Sequence, residues 1–123
     1  MQKRRRTVAV VDDDPSILRA AKDLLDAHGF ATRGFSSAEE FLRAVAANHI
    51  DCILLDIDLG DISGIELLQQ LKSYRPKLPV IFMTALDDEA VHQQALQTGC
   101  VTCLRKPFPA RQLMDALERA CPA

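Results

Sequence analysis

The sequence predicts an α/β fold, a doubly wound parallel sheet covered by helices on both faces, and three observations carry that expectation. Five short apolar runs recur, at residues 7–11, 30–35, 51–55, 80–83 and 100–104. Each is followed by a segment whose apolar residues fall at helical spacing. Most runs are continuously apolar rather than alternating, as parallel strands buried on both faces are. Five strand-then-helix repeats then imply right-handed crossovers and a layered sandwich.

The first run, TVAVV, leads into DDDP. Ile17, Leu18, Ala21, Leu24 and Leu25 lie on one face of the helix that follows, with Asp14 as its cap and Gly29 as its end. The second run contains Thr32, Arg33 and Gly34, which suits an edge strand. Ser36 and Ser37 precede Glu39 and Glu40 by three residues, a capping-box pattern for a helix carrying Phe41, Leu42 and Val45. Ile65, Leu67, Leu68 and Leu71 mark the third helix, which must stop before Pro76. The fourth is expected to begin near Asp87 or Asp88, to carry Val91, Ala95 and Leu96, and to stop at Gly99. The fifth starts around Pro109 and uses Leu113, Leu117 and Ala120.

At 123 residues with 48% hydrophobic content, the chain has material for one core, so residues 1–123 are expected to form a single domain. Residues 1–6 form a basic lead, expected to be flexible. The net charge of -2 does not describe a nucleic-acid-coating protein, and four charges near a terminus are more commonly a solvated tail than a binding arm. No apolar segment approaches the ~18 residues that span a bilayer, so a cytoplasmic location is expected. Cys100 and Cys103 spell CxxC, but no second ligand pair accompanies them, and all four cysteines are expected to be reduced thiols packed as small hydrophobes.

The chemistry lies at the strand ends. In an open sheet with the flavodoxin-like (βα)5 order 2-1-3-4-5, ligands bind beyond the carboxyl ends of the strands, in the crevice between the first and third. The first strand runs into Asp12 and Asp13, the third into Asp56 with Asp58 two residues on, the fourth into Thr84, and the fifth into Lys106. Adjacent strands would force Asp12, Asp13 and Asp56 together, where ionised carboxylates repel and hold protons more tightly. A divalent cation removes the conflict, and an all-oxygen set favours Mg²⁺ or Mn²⁺ over zinc. Asp56 would be the nucleophile, while Lys106 offers a charge and Thr84 a hydroxyl to an incoming phosphoryl group. Taken singly, an Asp before Pro is commonly a cap, a strand-end Thr a turn residue and a Lys before Pro a solvated side chain. Their joint placement at strand ends is what those separate readings leave unexplained.

VVDDDP, LLDIDLGDISG, MTA and LRKPF, in that order and spacing, resemble the receiver domain of two-component response regulators (the CheY-like superfamily) over essentially the whole chain. The resemblance implies that Asp56 accepts phosphate from a sensor histidine kinase, a phosphotransfer protein or a small phosphodonor. It also implies that Asp13, Asp56 and the backbone carbonyl of Asp58 ligate Mg²⁺, that Asp12 acts through water, and that the Lys106–Pro107 peptide is cis. Catalysis would be limited to the chain's own phosphorylation and dephosphorylation. The small Ala85 leaves the phosphoryl position accessible, and an effector would read the fourth helix, fifth strand and fifth helix, with homodimerisation on phosphorylation left open.

Three departures matter. Leu59 and Gly60 stand where the family usually has Met-Pro, so that loop is expected to be more mobile. Cys103 replaces the usual inward-swinging aromatic, so the signal leaves either through residues 84–88 and the fourth helix or with weak coupling. Asp58 adds a negative side chain beside the site. The stretch GFATRGFSSAEEFL is most similar to receivers joined to LuxR-type outputs, and a stand-alone regulator and an excised receiver both remain compatible with the sequence.

Other functions compete. DIDLGD echoes the DxDx start of haloacid-dehalogenase-like phosphatases, but there the motif follows the first strand and a larger core supplies substrate contacts. A flavodoxin-like mononucleotide binder would need a phosphate loop after the first strand, where three aspartates repel an anion. An unphosphorylated pseudo-receiver would act only as a docking surface.

Overall fold

The structure is a computed structural model that describes residues 5–73, 75–85 and 87–122. Five parallel strands, β1 (Thr7–Val11), β2 (Ala31–Phe35), β3 (Cys52–Asp56), β4 (Val80–Thr84) and β5 (Thr102–Arg105), stand in the order β2-β1-β3-β4-β5. Between and after them run α1 (Pro15–Ala27), α2 (Ala38–Val45), α3 (Gly64–Leu71), α4 (Glu89–Leu96) and α5 (Ala110–Ala120). The predicted topology is therefore observed.

Strand alternation sorts the core into two layers. Val8, Val10, Cys52, Leu54, Ile81 and Met83 face Leu25 of α1 and Leu113 and Leu117 of α5. Ala9, Val11, Ile53, Leu55 and Phe82 face Phe41, Leu67, Leu71 and Ala95 on the other side. β1, β3 and β4 are buried almost throughout, whereas Arg33 and Gly34 of β2 are exposed, as an edge strand allows.

The expected caps form. Asp14 accepts from the Ser16 N–H, Ser37 Oγ from the Glu40 N–H at 3.1 Å, and Asp88 from Ala90 and Val91. Glu40 does not reach back to Ser37; its carboxylate takes the Ser36 hydroxyl at 2.8 Å. Gly29, at φ +87°, ends α1 in a Schellman turn, in which its N–H bonds to Asp26 O and that of Phe30 to Leu25 O. That turn consumes Phe30, so β2 begins one residue later than the apolar run suggests.

Two expectations need correction. Leu96, assigned to the buried face of α4, is 40% exposed, while Val91 and Ala95 pack inward. Within the basic lead, Arg5 and Arg6 are tied down rather than loose. Arg5 donates to the carbonyls of Gly29 and Phe30. Arg6 stacks 4.4 Å from the Phe30 ring centroid and bonds to Glu118 and the Cys121 carbonyl. Residues 1–4 of the lead lie outside the described residues. Among the described residues no helix is long and apolar enough to cross a membrane.

Candidate phosphoacceptor site

Strand register builds the site. Asp12 directly follows β1 and extends its pairing, its N–H bonding to Phe35 O at 3.1 Å. Asp56 is the last residue of β3, opposite Met83, and Thr84 is the last of β4. Lys106 follows β5, its N–H bonding to Thr84 O at 2.8 Å, and the Lys106–Pro107 peptide is cis. Asp12, Asp13, Asp56, Thr84 and Lys106 therefore share one rim, with Asp58 two residues beyond Asp56. One carboxylate oxygen from each of Asp12, Asp13 and Asp56 lies within 4.8 Å of the others. Asp12, Asp56 and Thr84 are buried, at 0%, 5% and 1% exposure, and Asp13 is exposed at the mouth.

The buried charges are held by specific partners. Lys106 Nζ donates to Asp12 Oδ2 at 2.7 Å and to Asp56 Oδ2 at 3.3 Å. The Asp14 N–H donates to Asp12 Oδ1 at 2.9 Å, and the Asp58 N–H to Asp56 Oδ1 at 3.2 Å. Burial is the main cause that lifts Asp56 from 3.8 to about 6; the Asp12 charge adds to it, and Lys106 and the Asp58 N–H oppose it. Burial pulls Lys106 down, but its hydrogen bond to Asp12 and the charges of Asp56 and Asp12 outweigh that and hold the ammonium above its ordinary value. Asp56 is thus deprotonated in most molecules at neutral pH, yet poised against a neighbouring acid.

Two residues that the sequence reading gave no role shape this rim. Gly64 opens α3, and a Cβ there would sit 2.4 Å from Asp56 O and 3.0 Å from Ile57 Cα. Its N–H bonds to Ile57 O at 2.7 Å, and Asp58 bridges Ser63, so the loop after Asp56 folds back on itself. Asp61 is exposed, and N–H groups of Ile62, Glu39 and Ala38 outweigh the slight desolvation of its carboxylate and together hold it below the ordinary value. It thereby ties the same loop to the start of α2. The loop around Leu59 and Gly60, expected to be mobile, has these anchors and a buried Leu59 as well. Only the small residue before Ile65 hinted at Gly64. Gly64→Ala is expected to push backbone against backbone beneath Asp56 and to cost about 1–3 kcal/mol, read as a lower urea midpoint at unchanged slope.

Residues 8–118 match the response regulator receiver domain family. The chain belongs to that family. It is 31% identical to the response regulator protein TodT of Pseudomonas putida over 98% of this chain and 53% of that protein. It is 32% identical to the transcriptional regulatory protein FixJ of Bradyrhizobium diazoefficiens over 92% of this chain and 55% of FixJ. Among solved structures, a response regulator receiver domain from Clostridium thermocellum superposes with a TM-score of 0.87 at 32% identity, covering 94% of this chain and 93% of that one. The chain spans about half the length of the curated TodT and FixJ proteins. Membership of this family places DIDLGD after the third strand of a receiver, not after the first strand of a phosphatase.

Proposed function

We propose that this receiver takes up a phosphoryl group on Asp56, from a phosphohistidine of a sensor kinase or phosphotransfer protein or from a small acyl phosphate, and thereby switches a partner surface. The observation that carries this reading is the convergence of Asp12, Asp13 and Asp56 within reach of one ion, with Lys106 bridging two of them.

The donor set is three carboxylates without imidazole or thiolate, which fits Mg²⁺ or Mn²⁺. Asp12, Asp13, Asp56 and the Asp58 carbonyl would hold the ion. When bound, it supplies charge neutralisation for the acids and for the phosphoryl oxygens. An ionised Asp56 oxygen attacks phosphorus; the new O–P bond forms as the bond to the imidazole nitrogen or acyl oxygen breaks, and the donor leaves with the electron pair. The 3.3 Å contact of Lys106 with Asp56 is the looser of its two, so the ammonium can exchange that carboxylate for a phosphoryl oxygen while keeping Asp12. Thr84 stands at the end of the neighbouring strand to donate its hydroxyl, and the exposed Ala85 leaves the approach open.

The signal would leave through the segment after Thr84. Cys103, in place of an aromatic, is packed in the core and has no ring to swing. Arg105, the last residue of β5, bonds to Asp87 and Glu89 at 2.8 Å each, linking that strand to the start of α4. Leu96 stands exposed on α4, where an effector reading α4, β5 and α5 could cover it. That residues 1–123 form one receiver domain, cytoplasmic and with catalysis confined to its own phosphorylation and dephosphorylation, is part of the same proposal.

Intact-mass measurement after incubation with acetyl phosphate tests the reading. One phosphoryl group per chain, dependent on Mg²⁺, is expected. Repeated turnover of a phosphate ester would favour a phosphatase, and an unchanged mass would favour a pseudo-receiver.

A further inference from the structure

The loop from Ile57 to Ser63 carries the Asp58 carbonyl, and its hold on the rest of the fold comes from three consecutive residues that face three different places. Leu59 is buried in the core layer that contains Phe41 and Leu67. Gly60, at φ +86°, lies at the mouth of the acidic site, where a Cβ on it would come 3.6 Å from Asp13 Oδ2. Asp61 reaches out of the loop altogether. Its Oδ2 accepts the N–H of Glu39, in the first turn of α2, at 3.3 Å.

We propose that Asp61 is a positioning residue of the ion site, holding residues 58–60 at the mouth beside Asp13 by anchoring their loop to α2.

The proposal rests on the reading of this rim as a Mg²⁺-dependent phosphoacceptor site. Asp61 is not one of the ligands, because it stands outside the cluster of Asp12, Asp13 and Asp56 and its carboxylate is turned to α2. It acts through the backbone. The helix it holds is a firm post: Ala38, Phe41 and Val45 bury one face of α2, and Ser37 caps it independently through the Glu40 N–H. A helix N-terminus also favours a negative partner. A loop cut free of that post would have to give up its own conformational freedom when the ion binds, which lowers affinity without touching the reacting groups. Groups that orient metal ligands from outside contribute roughly 10–100-fold to affinity, and one exposed tie belongs at the lower end of that range.

Calorimetric titration of the full chain with Mg²⁺ alone tests this, together with phosphorylation by acetyl phosphate followed by intact mass across the same Mg²⁺ range. Asp61→Ala is expected to raise the Mg²⁺ dissociation constant about 10-fold and to leave the rate at saturating Mg²⁺ unchanged, since Asp56, Thr84 and Lys106 are intact. Asp61→Asn keeps an acceptor oxygen without the charge and should restore the wild-type constant. Ser37→Ala removes the other cap of α2 but not the loop's tie, so it should lower the melting temperature and leave the Mg²⁺ constant alone. Three results would overturn the proposal while sparing the phosphoacceptor reading. They are wild-type Mg²⁺ affinity in Asp61→Ala, an Asp61→Asn chain as weak as Asp61→Ala, which would assign the effect to charge, and a Ser37→Ala chain equally weak, which would assign it to α2 stability. A wild type that binds no Mg²⁺ would overturn both.

Discussion

Asp56→Asn is expected to take up no phosphate from acetyl phosphate and Mg²⁺ under conditions that phosphorylate the wild type to one group per chain. An amide nitrogen or oxygen cannot form the acyl phosphate, and Asp12 and Asp13 do not replace Asp56. Asp12 is fully buried and already paired with Lys106, and Asp13 lies on the other strand end. Lys106→Ala should retain the phosphoacceptor but react about 10²–10³-fold more slowly, the usual effect of removing one group that stabilises transition-state charge. The same substitution strands Asp12 without its cation, so the variant will also be less stable, and circular dichroism at the assay temperature separates unfolding from lost chemistry. Phosphate appearing on Asp56→Asn at the wild-type rate would refute the assignment of the acceptor.

The rim was legible in the sequence because a parallel sheet converts strand endings into spatial neighbours. Once VVDDD and LLDID are read as adjacent strands, Asp12, Asp13 and Asp56 have nowhere else to go. The caps at Asp14, Ser37 and Asp88 were legible for a similar reason, since each acts within three residues of itself. What escaped depends on contacts between distant parts of the chain. Gly64 matters because backbone from Asp56 and Ile57 passes beneath it, and nothing local in DISGIE announces that approach. Lys106 was read as waiting for a phosphoryl group, whereas it spends its charge on Asp12 and Asp56 in the unphosphorylated site. Leu96 fits the helical period of α4 yet points outward, because a short helix with few large apolar residues leaves its orientation to the neighbouring layer.

In the absence of metal the acidic rim should weaken the fold, and Asp56→Asn should strengthen it at pH 8. The sign follows from the direction of the shift. The folded Asp56 binds its proton up to about pH 6, the unfolded one only to 3.8, so stability falls as pH rises between these values and the full cost remains above them. Such a shift corresponds to roughly 3 kcal/mol, and solvent screening at the open mouth reduces it to on the order of 1–2 kcal/mol. The variant's advantage in EDTA should therefore be present at pH 8 and vanish toward pH 4, where the wild-type carboxyl is protonated as well. Mg²⁺ should reverse the order. At a hundred times its dissociation constant a ligand stabilises the native state by about 2.7 kcal/mol, and this gain belongs chiefly to the chain that keeps all its carboxylates. Thermal melts of wild type, Asp56→Asn and Asp13→Ala across that pH range, with and without Mg²⁺, read both effects. The metal-induced rise should be largest for the wild type and should shrink below pH 6 as protons compete for Asp56. A wild type whose melting ignores Mg²⁺ at every pH, with Asp56→Asn no more stable than it in EDTA, would mean that the three acids neither oppose one another nor share an ion.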